Sequence, residues 1–146
     1  MRALKKIFVH CSAGKWGDVG YIDRVHRGRG WDSIGYHFVI ENGYPTYNSL
    51  RYHKPLIERD GLVCKGRDVA IQGAHVKHHN ADSIGICLIG IDIFTSSQIK
   101  ALHVLISTLQ SIYGPLEVCL HNEYDNKKTC PNLSRDVIID VPAHKS

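Results

Sequence analysis

Three side chains that bind soft metal ions stand beside apolar runs at distant points of the sequence. His10 ends the run "KKIFVH", His121 directly follows "LEVCL", and Cys130 closes the polar stretch that His121 begins. Two imidazole nitrogens and one thiolate leave a fourth position open on a tetrahedral zinc ion, which is typical of catalytic rather than structural sites. The alternative is that both histidines are polar residues at strand ends and that Cys130 is a packed thiol.

For His10 and His121 to bind one metal ion, the secondary-structure elements that carry them must lie next to each other. The runs "KKIFVHCS" and "LEVCL" have the length and apolar character of strands, and each histidine lies at or just after the end of its run. We therefore expect the two histidines to project from the same edge of one sheet. The loop from His121 to Cys130 is long enough to bring the thiol back to them.

The rest of the chain predicts further strands and helices. Strands are predicted in "GYHFVI", in "LVCKGRD" and in the continuous apolar run "SIGICLIG", which is typical of a central strand. The clearest helix is "TSSQIKALHVLISTLQSIYG", where Thr95 and Gln98 form a capping box and Gly114 ends the helix. Its apolar face comprises Ile99, Leu102, Leu105, Ile106, Leu109 and Ile112. A shorter helix is predicted in "GYIDRVHRGRGW", and "LSRDVIID" fits a short helix or a turn.

This alternation of strands and helices predicts the fold class. We expect an α/β (α+β) fold, with a central mixed β-sheet flanked by helices and a zinc site at a groove on one face. The chain length suits a single domain over residues 1–146. Residues 41–61 are polar and contain Pro45, Pro55 and Gly61, so that we expect a loop insertion there.

Composition narrows the class of protein. Hydrophobic residues at 43% and charged residues at 22% predict neither a disordered chain nor a membrane-inserted one. A net charge of +4 favours an anionic partner, but no basic run interleaved with aromatic residues indicates specific nucleic-acid binding. The five cysteines form no CxxC pair, which argues against a disulfide framework, and Cys87 and Cys119 stand in apolar runs as expected buried thiols. The first residues lack the apolar segment of a signal peptide, so that we expect synthesis in the cytoplasm.

Five stretches of the chain resemble a known family in their order and character. They are "IFVHCSAG", "GWDSIGYHFVI", "GRD", "GAHVKHHNADSIGICLIG" and "HNEYDNKKTCP". The chain resembles the type 2 N-acetylmuramoyl-L-alanine amidases, and within them the T7 lysozyme-like phage amidases, which are related to the peptidoglycan recognition proteins. Together the stretches cover nearly the whole predicted domain, and five ordered motifs are far more specific than any one of them.

The resemblance implies a role for individual residues. His10, His121 and Cys130 occupy the positions of the family's zinc ligands, which implies one Zn²⁺ per chain. Tyr36 in "GYHF" and Lys128, two residues before the cysteine, occupy the positions of the catalytic side chains. A cationic lysine and a tyrosine hydroxyl next to zinc are suited to stabilise charge on a carbonyl oxygen or to pass a proton to a leaving amine.

Other residues keep alternative interpretations. His75 corresponds to a family histidine that borders the substrate groove, so that it is a candidate for substrate binding or for a structural hydrogen bond. We expect His78 and His79 to be solvated loop residues, and His37 to face away from Tyr36 in a structural role.

The loop between the two last metal ligands departs slightly from the family pattern. It is slightly longer than in the T7-like members, which leaves Lys127 as an alternative to Lys128. Glu123, close to His121, is a candidate for fixing the tautomer of that imidazole or for acting as a base.

The resemblance implies hydrolysis of the amide bond between N-acetylmuramic acid and L-alanine in peptidoglycan. The expected protein is a monomeric phage or prophage endolysin that acts on peptidoglycan or muropeptides after release from the host cytoplasm. One alternative is a non-catalytic peptidoglycan-binding module, although such members of the family have lost the zinc cysteine and Cys130 is present. A second is a regulator that binds a phage RNA polymerase, for which we find no supporting feature in the sequence.

Overall fold

Five strands form one mixed sheet in the computed structural model, which describes residues 2–139. The strands are β1 (Lys6–Cys11), β2 (Phe38–Asn42), β3 (Asp60–Lys65), β4 (Ser83–Leu88) and β5 (Glu117–Leu120). Their order is β3-β2-β4-β1-β5, and β3 at one edge runs antiparallel to β2 while the other pairs are parallel. The predicted mixed sheet is confirmed, with "SIGICL" as its central strand.

Helices cover the sheet and join its strands. They are α1 (Val19–Gly28), α2 (Tyr47–Arg51), α3 (Ser96–Tyr113), α4 (His121–Tyr124) and α5 (Arg135–Ile139), with a 3₁₀ turn at Ile57–Arg59. The part of the chain that the structure describes contains no helix with the length and apolar character needed to cross a membrane.

The long helix α3 packs on one face of the sheet. Alternate strand residues such as Ile7, Val9 and Ile86 lie on that face and are fully buried. Four residues of α3 are buried against them: Leu102, Leu105, Ile106 and Leu109. The capping box of Thr95 and Gln98 is confirmed, whereas Ile112 is 63% exposed, so that the buried stripe ends before the last turn.

The opposite face of the sheet carries a different set of side chains. Phe8, His10 and Cys87 alternate with the α3-facing residues and point to this side. Helix α1 packs against one end of this face through Ile22. At the other end of this face, His10 of β1 contacts the rings of Tyr36, His75 and His121, which come from loops and from the short helix α4.

The segment 41–61 is wrongly predicted as an extended loop. Glu41 lies within β2 and is fully buried, and the segment contains helix α2, which Thr46 caps, and the 3₁₀ turn. The Arg59 guanidinium forms a two-pronged ion pair with Glu41, with a distance of 2.7 Å from Nε to Oε1. This contact holds the segment to the sheet. Its status as an insertion relative to the family that the chain resembles stays a prediction.

His37 is a buried connector between β4 and the loop that follows β3. Its Nδ1 accepts the Gly85 N–H at 3.0 Å, so the proton is on Nε2, which donates to the Ile71 carbonyl at 2.8 Å. The structural role expected for His37 is confirmed, but its ring lies on the same side of the sheet as Tyr36, because Tyr36 precedes the strand and strand alternation does not apply to it. Burial lowers the pKa of His37 to about 4.

Replacing Arg59 tests how the segment 41–61 is anchored. In Arg59→Met the Glu41 carboxylate stays buried without its cation, and we expect the free energy of unfolding to fall by about 3 kcal/mol in urea denaturation. The control is Lys54→Met, because Lys54 is an exposed cation of the same segment; we expect it to change stability by less than about 0.5 kcal/mol. Equal stabilities of the two variants would contradict this anchoring.

Acid should destabilise the protein through His37. Its folded pKa of about 4 lies below the unfolded value of about 6.5, so the unfolded chain takes up the proton first as the pH falls. The neutral His37 ring makes its full contribution to the free energy of unfolding above pH ~6.5. As the pH falls toward ~4 this contribution is lost, and the free energy of unfolding decreases by up to about 3 kcal/mol. Urea unfolding of metal-free protein between these pH values measures it. His37→Gln should show a shallower pH dependence than the parent, whereas the exposed control His53→Gln should match the parent.

Candidate metal centre

Strand pairing brings the two distant histidines together. Val9 of β1 pairs with Leu120 of β5 in parallel register, so that the next residues, His10 and His121, lie side by side. Their Nδ1 atoms are 3.1 Å apart, and Cys130 Sγ accepts the Cys11 N–H at 2.9 Å. One donor atom each from His10, His121 and Cys130 lies within 4.8 Å of the other two. The structure thus assembles the three residues that the sequence singled out.

The loop 121–130 is braced so that its two ends meet. The Asn122 N–H donates to the Cys130 carbonyl at 3.0 Å, and the Asn122 side-chain amide donates to the Thr129 carbonyl at 3.3 Å. In its middle, the Asp125 carbonyl accepts the Lys128 N–H. These bonds set the separation of His121 and Cys130 within the loop itself.

The donor set fits a tetrahedral zinc ion. Two nitrogens that each lie 2.0–2.1 Å from one tetrahedral zinc are roughly 3.3 Å apart, close to the observed Nδ1–Nδ1 separation of 3.1 Å. Burial lowers the pKa of His10 well below its ordinary value, and the neighbouring rings of His75 and His121 lower it further. Burial also lowers the pKa of His121, with a smaller contribution from Lys128. Both imidazoles are therefore neutral near pH 7 and have lone pairs for a metal.

Cys130 needs a cation to be a thiolate. The neighbouring Cys11 thiol and then burial raise the pKa of Cys130 above its ordinary value. Coordination to a divalent cation deprotonates a thiol, so that metal binding here releases a proton. Cys11 itself lies outside the group of three donors.

His75 is fully engaged in hydrogen bonds. Its Nδ1 is 2.9 Å from His10 Nε2, and its Nε2 is 3.2 Å from the Ser83 hydroxyl. The ring also lines the groove beside the candidate metal centre. Of the two roles left open for His75, the structural hydrogen bond is present, and a contact with substrate would use the ring face rather than a nitrogen.

Tyr36 lies against His10, one of the three candidate metal ligands. Its ring centroid is 5.1 Å from that of His10, and burial raises the pKa of Tyr36 well above its ordinary value, with the Cys87 thiol as the next cause. The hydroxyl therefore keeps its proton at neutral pH and remains a hydrogen-bond donor.

A groove of about 410 Å³ opens beside these residues. Its lining comprises His26, Arg29, Trp31, Tyr36, Ala74, His75, Val76, Lys77, Asn80, His121, Asp125 and Lys128. Lys128 belongs to this lining, whereas Lys127 is an exposed residue outside it. The geometry therefore favours Lys128 over Lys127.

Two other residues near the centre differ from expectation. Glu123 accepts the Leu120 N–H at 2.9 Å and pairs with Arg135, with Oε1 2.7 Å from Nη2, so that it holds the start of α4. These contacts engage both carboxylate oxygens with Leu120 and Arg135 rather than with the His121 ring. His79 is half-buried against Tyr124, at 4.8 Å between ring centroids, and is not a solvated residue as predicted; His78 is exposed.

The sequence did not single out His26 or Ser83 as parts of the site. His26 is buried on α1, accepts the Gly35 N–H on Nδ1 at 2.9 Å, and lines the groove. The pattern of "GYIDRVHRGRGW" predicted the helix but did not indicate that His26 lines a groove. Ser83 begins β4, and its partners are side chains and carbonyls that only the folded loop brings near.

Known proteins are similar to this chain over most of its length. The endolysin of Klebsiella phage KP32 is 37% identical over 139 residues, which is 88% of this chain and 80% of that protein. The endolysin of Escherichia phage T7 is 36% identical over 138 residues, with coverages of 87% and 80%. The solved structure of the N-acetylmuramoyl-L-alanine amidase LysC from Clostridium intestinale URNW has the same fold, with a TM-score of 0.74 at 24% identity over 90% of this chain and 78% of that one.

A family model described as N-acetylmuramoyl-L-alanine amidase matches residues 1–133, which include all three donors of the candidate metal centre. The resemblance seen in the five motifs is thereby confirmed. The chain belongs to the N-acetylmuramoyl-L-alanine amidase family.

Proposed function

We propose that this chain is a zinc-dependent enzyme that cleaves the amide bond between N-acetylmuramic acid and L-alanine in peptidoglycan. The observation that carries the proposal is the convergence of His10, His121 and Cys130. Of these, His121 lines a groove that Tyr36 and Lys128 also line. Membership of the amidase family supports the reaction. Similarity to phage endolysins supports a phage or prophage origin and action on the cell wall after release.

The metal would be held by His10, His121 and Cys130. Three protein ligands leave one position for water or substrate. Zinc bound there would supply a polarised carbonyl and a water of lowered pKa. Neutral imidazoles at His10 and His121 support binding at neutral pH.

Tyr36 and Lys128 would act on the reacting amide. The Tyr36 hydroxyl keeps its proton and is a donor to the charge that develops on the carbonyl oxygen. Lys128 lines the same groove. Its positive charge would stabilise the negative charge that develops on the carbonyl oxygen, and its ammonium group could pass a proton to the leaving amine.

The groove suits an anionic, extended substrate. Its lining combines the aromatic ring of Trp31 with the cations Arg29, Lys77 and Lys128, and a stem peptide of peptidoglycan carries carboxylates. We propose that His75 contributes its ring face to this surface. We further propose that the protein acts as a monomer and without a nucleic-acid partner.

Metal removal tests the zinc dependence. We expect the purified protein to release free stem peptide from defined muropeptides, detected by mass spectrometry, and to lose this activity in a chelator until zinc is restored. His121→Ala and Cys130→Ser should no longer retain zinc in elemental analysis, because each removes one of three ligands. Intact muropeptides in the presence of bound zinc would favour a non-catalytic peptidoglycan-binding module instead.

Substitutions of the two proposed catalytic side chains should lower activity without the loss of zinc that substitutions of the metal ligands cause. We expect Tyr36→Phe and Lys128→Ala each to bind zinc like the parent and to lower kcat on the order of 100-fold, because each removes one group that stabilises the developing charge. Lys127→Ala is the matched control for Lys128→Ala and should retain the parent's kcat. If Lys127→Ala lowered kcat and Lys128→Ala did not, the catalytic role would belong to Lys127, and the assignment to Lys128 would be wrong.

A further inference from the structure

A chain of hydrogen bonds runs from the candidate metal centre to a backbone carbonyl. It links His10 Nε2 to His75 Nδ1 at 2.9 Å, His75 Nε2 to the Ser83 hydroxyl at 3.2 Å, and that hydroxyl to the His79 carbonyl at 2.7 Å. His10 and Ser83 are buried, and His75 is half-buried with both of its ring nitrogens engaged in this chain. None of the roles proposed above for catalysis uses Ser83.

The direction of every bond follows from the far end of the chain. A carbonyl oxygen only accepts, so the Ser83 hydroxyl donates its hydrogen bond to the backbone carbonyl of His79. At 2.7 Å two oxygens need a proton between them, and this short contact commits the single hydroxyl proton of Ser83. The Ser83 oxygen is then left as the acceptor for His75.

The same reasoning continues through the two rings. His75 must carry its proton on Nε2 to donate to Ser83, and its Nδ1 is therefore an acceptor. His10 must carry its proton on Nε2 to donate to His75. A neutral imidazole has one proton, so the His10 Nδ1 has a free lone pair, and this atom faces His121 Nδ1.

The fold holds the His75 ring in this position tightly. A β-carbon at Gly85 would lie 2.7 Å from the His75 ring, so the glycine leaves the space that the ring fills. The edge of Phe8 contacts the ring, with 5.9 Å between centroids. The Asn80 side-chain oxygen accepts the N–H groups of His75 and Val76, both at 2.9 Å, which fixes the loop.

We propose that His75 and Ser83 are positioning residues that fix His10 in the tautomer with its proton on Nε2 and its Nδ1 lone pair toward the metal centre. The inference rests on the proposed function in one respect, namely that zinc is the ion that this lone pair meets. Partners that orient a ligating histidine commonly account for 10–100-fold in metal affinity.

The tautomers can be observed in the metal-free protein. We expect ¹⁵N–¹H correlation spectra of the imidazole rings near pH 7.5 to show protonated Nε2 and unprotonated Nδ1 for both His10 and His75. In Ser83→Ala the acceptor for His75 is lost, and we expect the rings of His75 and His10 to populate both tautomers. A parent protein with the His10 proton on Nδ1 would overturn the proposal.

Zinc affinity gives the second measurement. We expect Ser83→Ala to bind zinc about 10–100-fold more weakly than the parent in competition with a chromophoric chelator. Ser107→Ala is the matched control, because Ser107 is an exposed serine on α3, and it should bind zinc like the parent. Affinity of Ser83→Ala within twofold of the parent would overturn the proposal. If the parent bound no zinc, the proposed function would fail, and the tautomer spectra of the metal-free protein would still decide the direction of the hydrogen bonds.

Discussion

The parallel pairing of β1 between β4 and β5 is the constraint on which the candidate metal centre depends. Val9 is level with Leu120, which brings His10 beside His121 across more than a hundred residues of chain. The same strand sets which face each side chain takes, because neighbouring residues of a strand point to opposite sides. A slip of one residue would turn His10 toward α3 and put Val9 at the metal centre. The apolar residues of β1 that pack on α3 therefore also fix the position of the chemistry.

Burial of uncharged polar groups is the second feature of the site. His10 is buried and His75 is half-buried, and burial is the largest cause of the lowered pKa of each. The same effect has the opposite sign on an acid, and it raises the pKa of Tyr36. One desolvated environment thus leaves lone pairs on the histidines and a proton on the tyrosine. The charged Lys128 lies on the exposed side of the groove, where its charge is solvated in the absence of substrate.

Short sequence patterns were sufficient to predict the elements that build the sheet and to identify the three candidate metal ligands. The apolar run of β4 and the capping box of α3 each specify one element within a short window, and the structure has both. The position of each histidine at or just after the end of an apolar run was enough to group His10 with His121. The family motifs added Tyr36 and Lys128, which spacing alone did not distinguish from an ordinary strand tyrosine and a solvated lysine.

Partners that are distant in sequence explain what was predicted wrongly. Glu41 was assigned to a loop because its buried ion pair with Arg59 has no signature in the residues next to it. Glu123 looked like a partner for His121 because it is close in sequence, but Arg135 on α5 binds it instead. In both cases a long polar side chain is held by a cation that the fold supplies, and only the three-dimensional arrangement identifies that cation.

The bracing of the loop 121–130 has a consequence for metal binding. Its two ends are joined by the bond from Asn122 N–H to the Cys130 carbonyl, and Cys130 Sγ is held by the Cys11 N–H of β1. The three donors are therefore carried by two bodies already in contact: strand β1 and one closed loop beside it. Ordering a flexible loop would cost about 1–2 kcal/mol per residue in backbone entropy. Because protein hydrogen bonds and strand pairing fix these residues, the free energy of metal binding is available for coordination rather than for folding. Here the hydrophobic core beneath β1 holds the donors together, and the metal would complete a site that the sheet has already arranged.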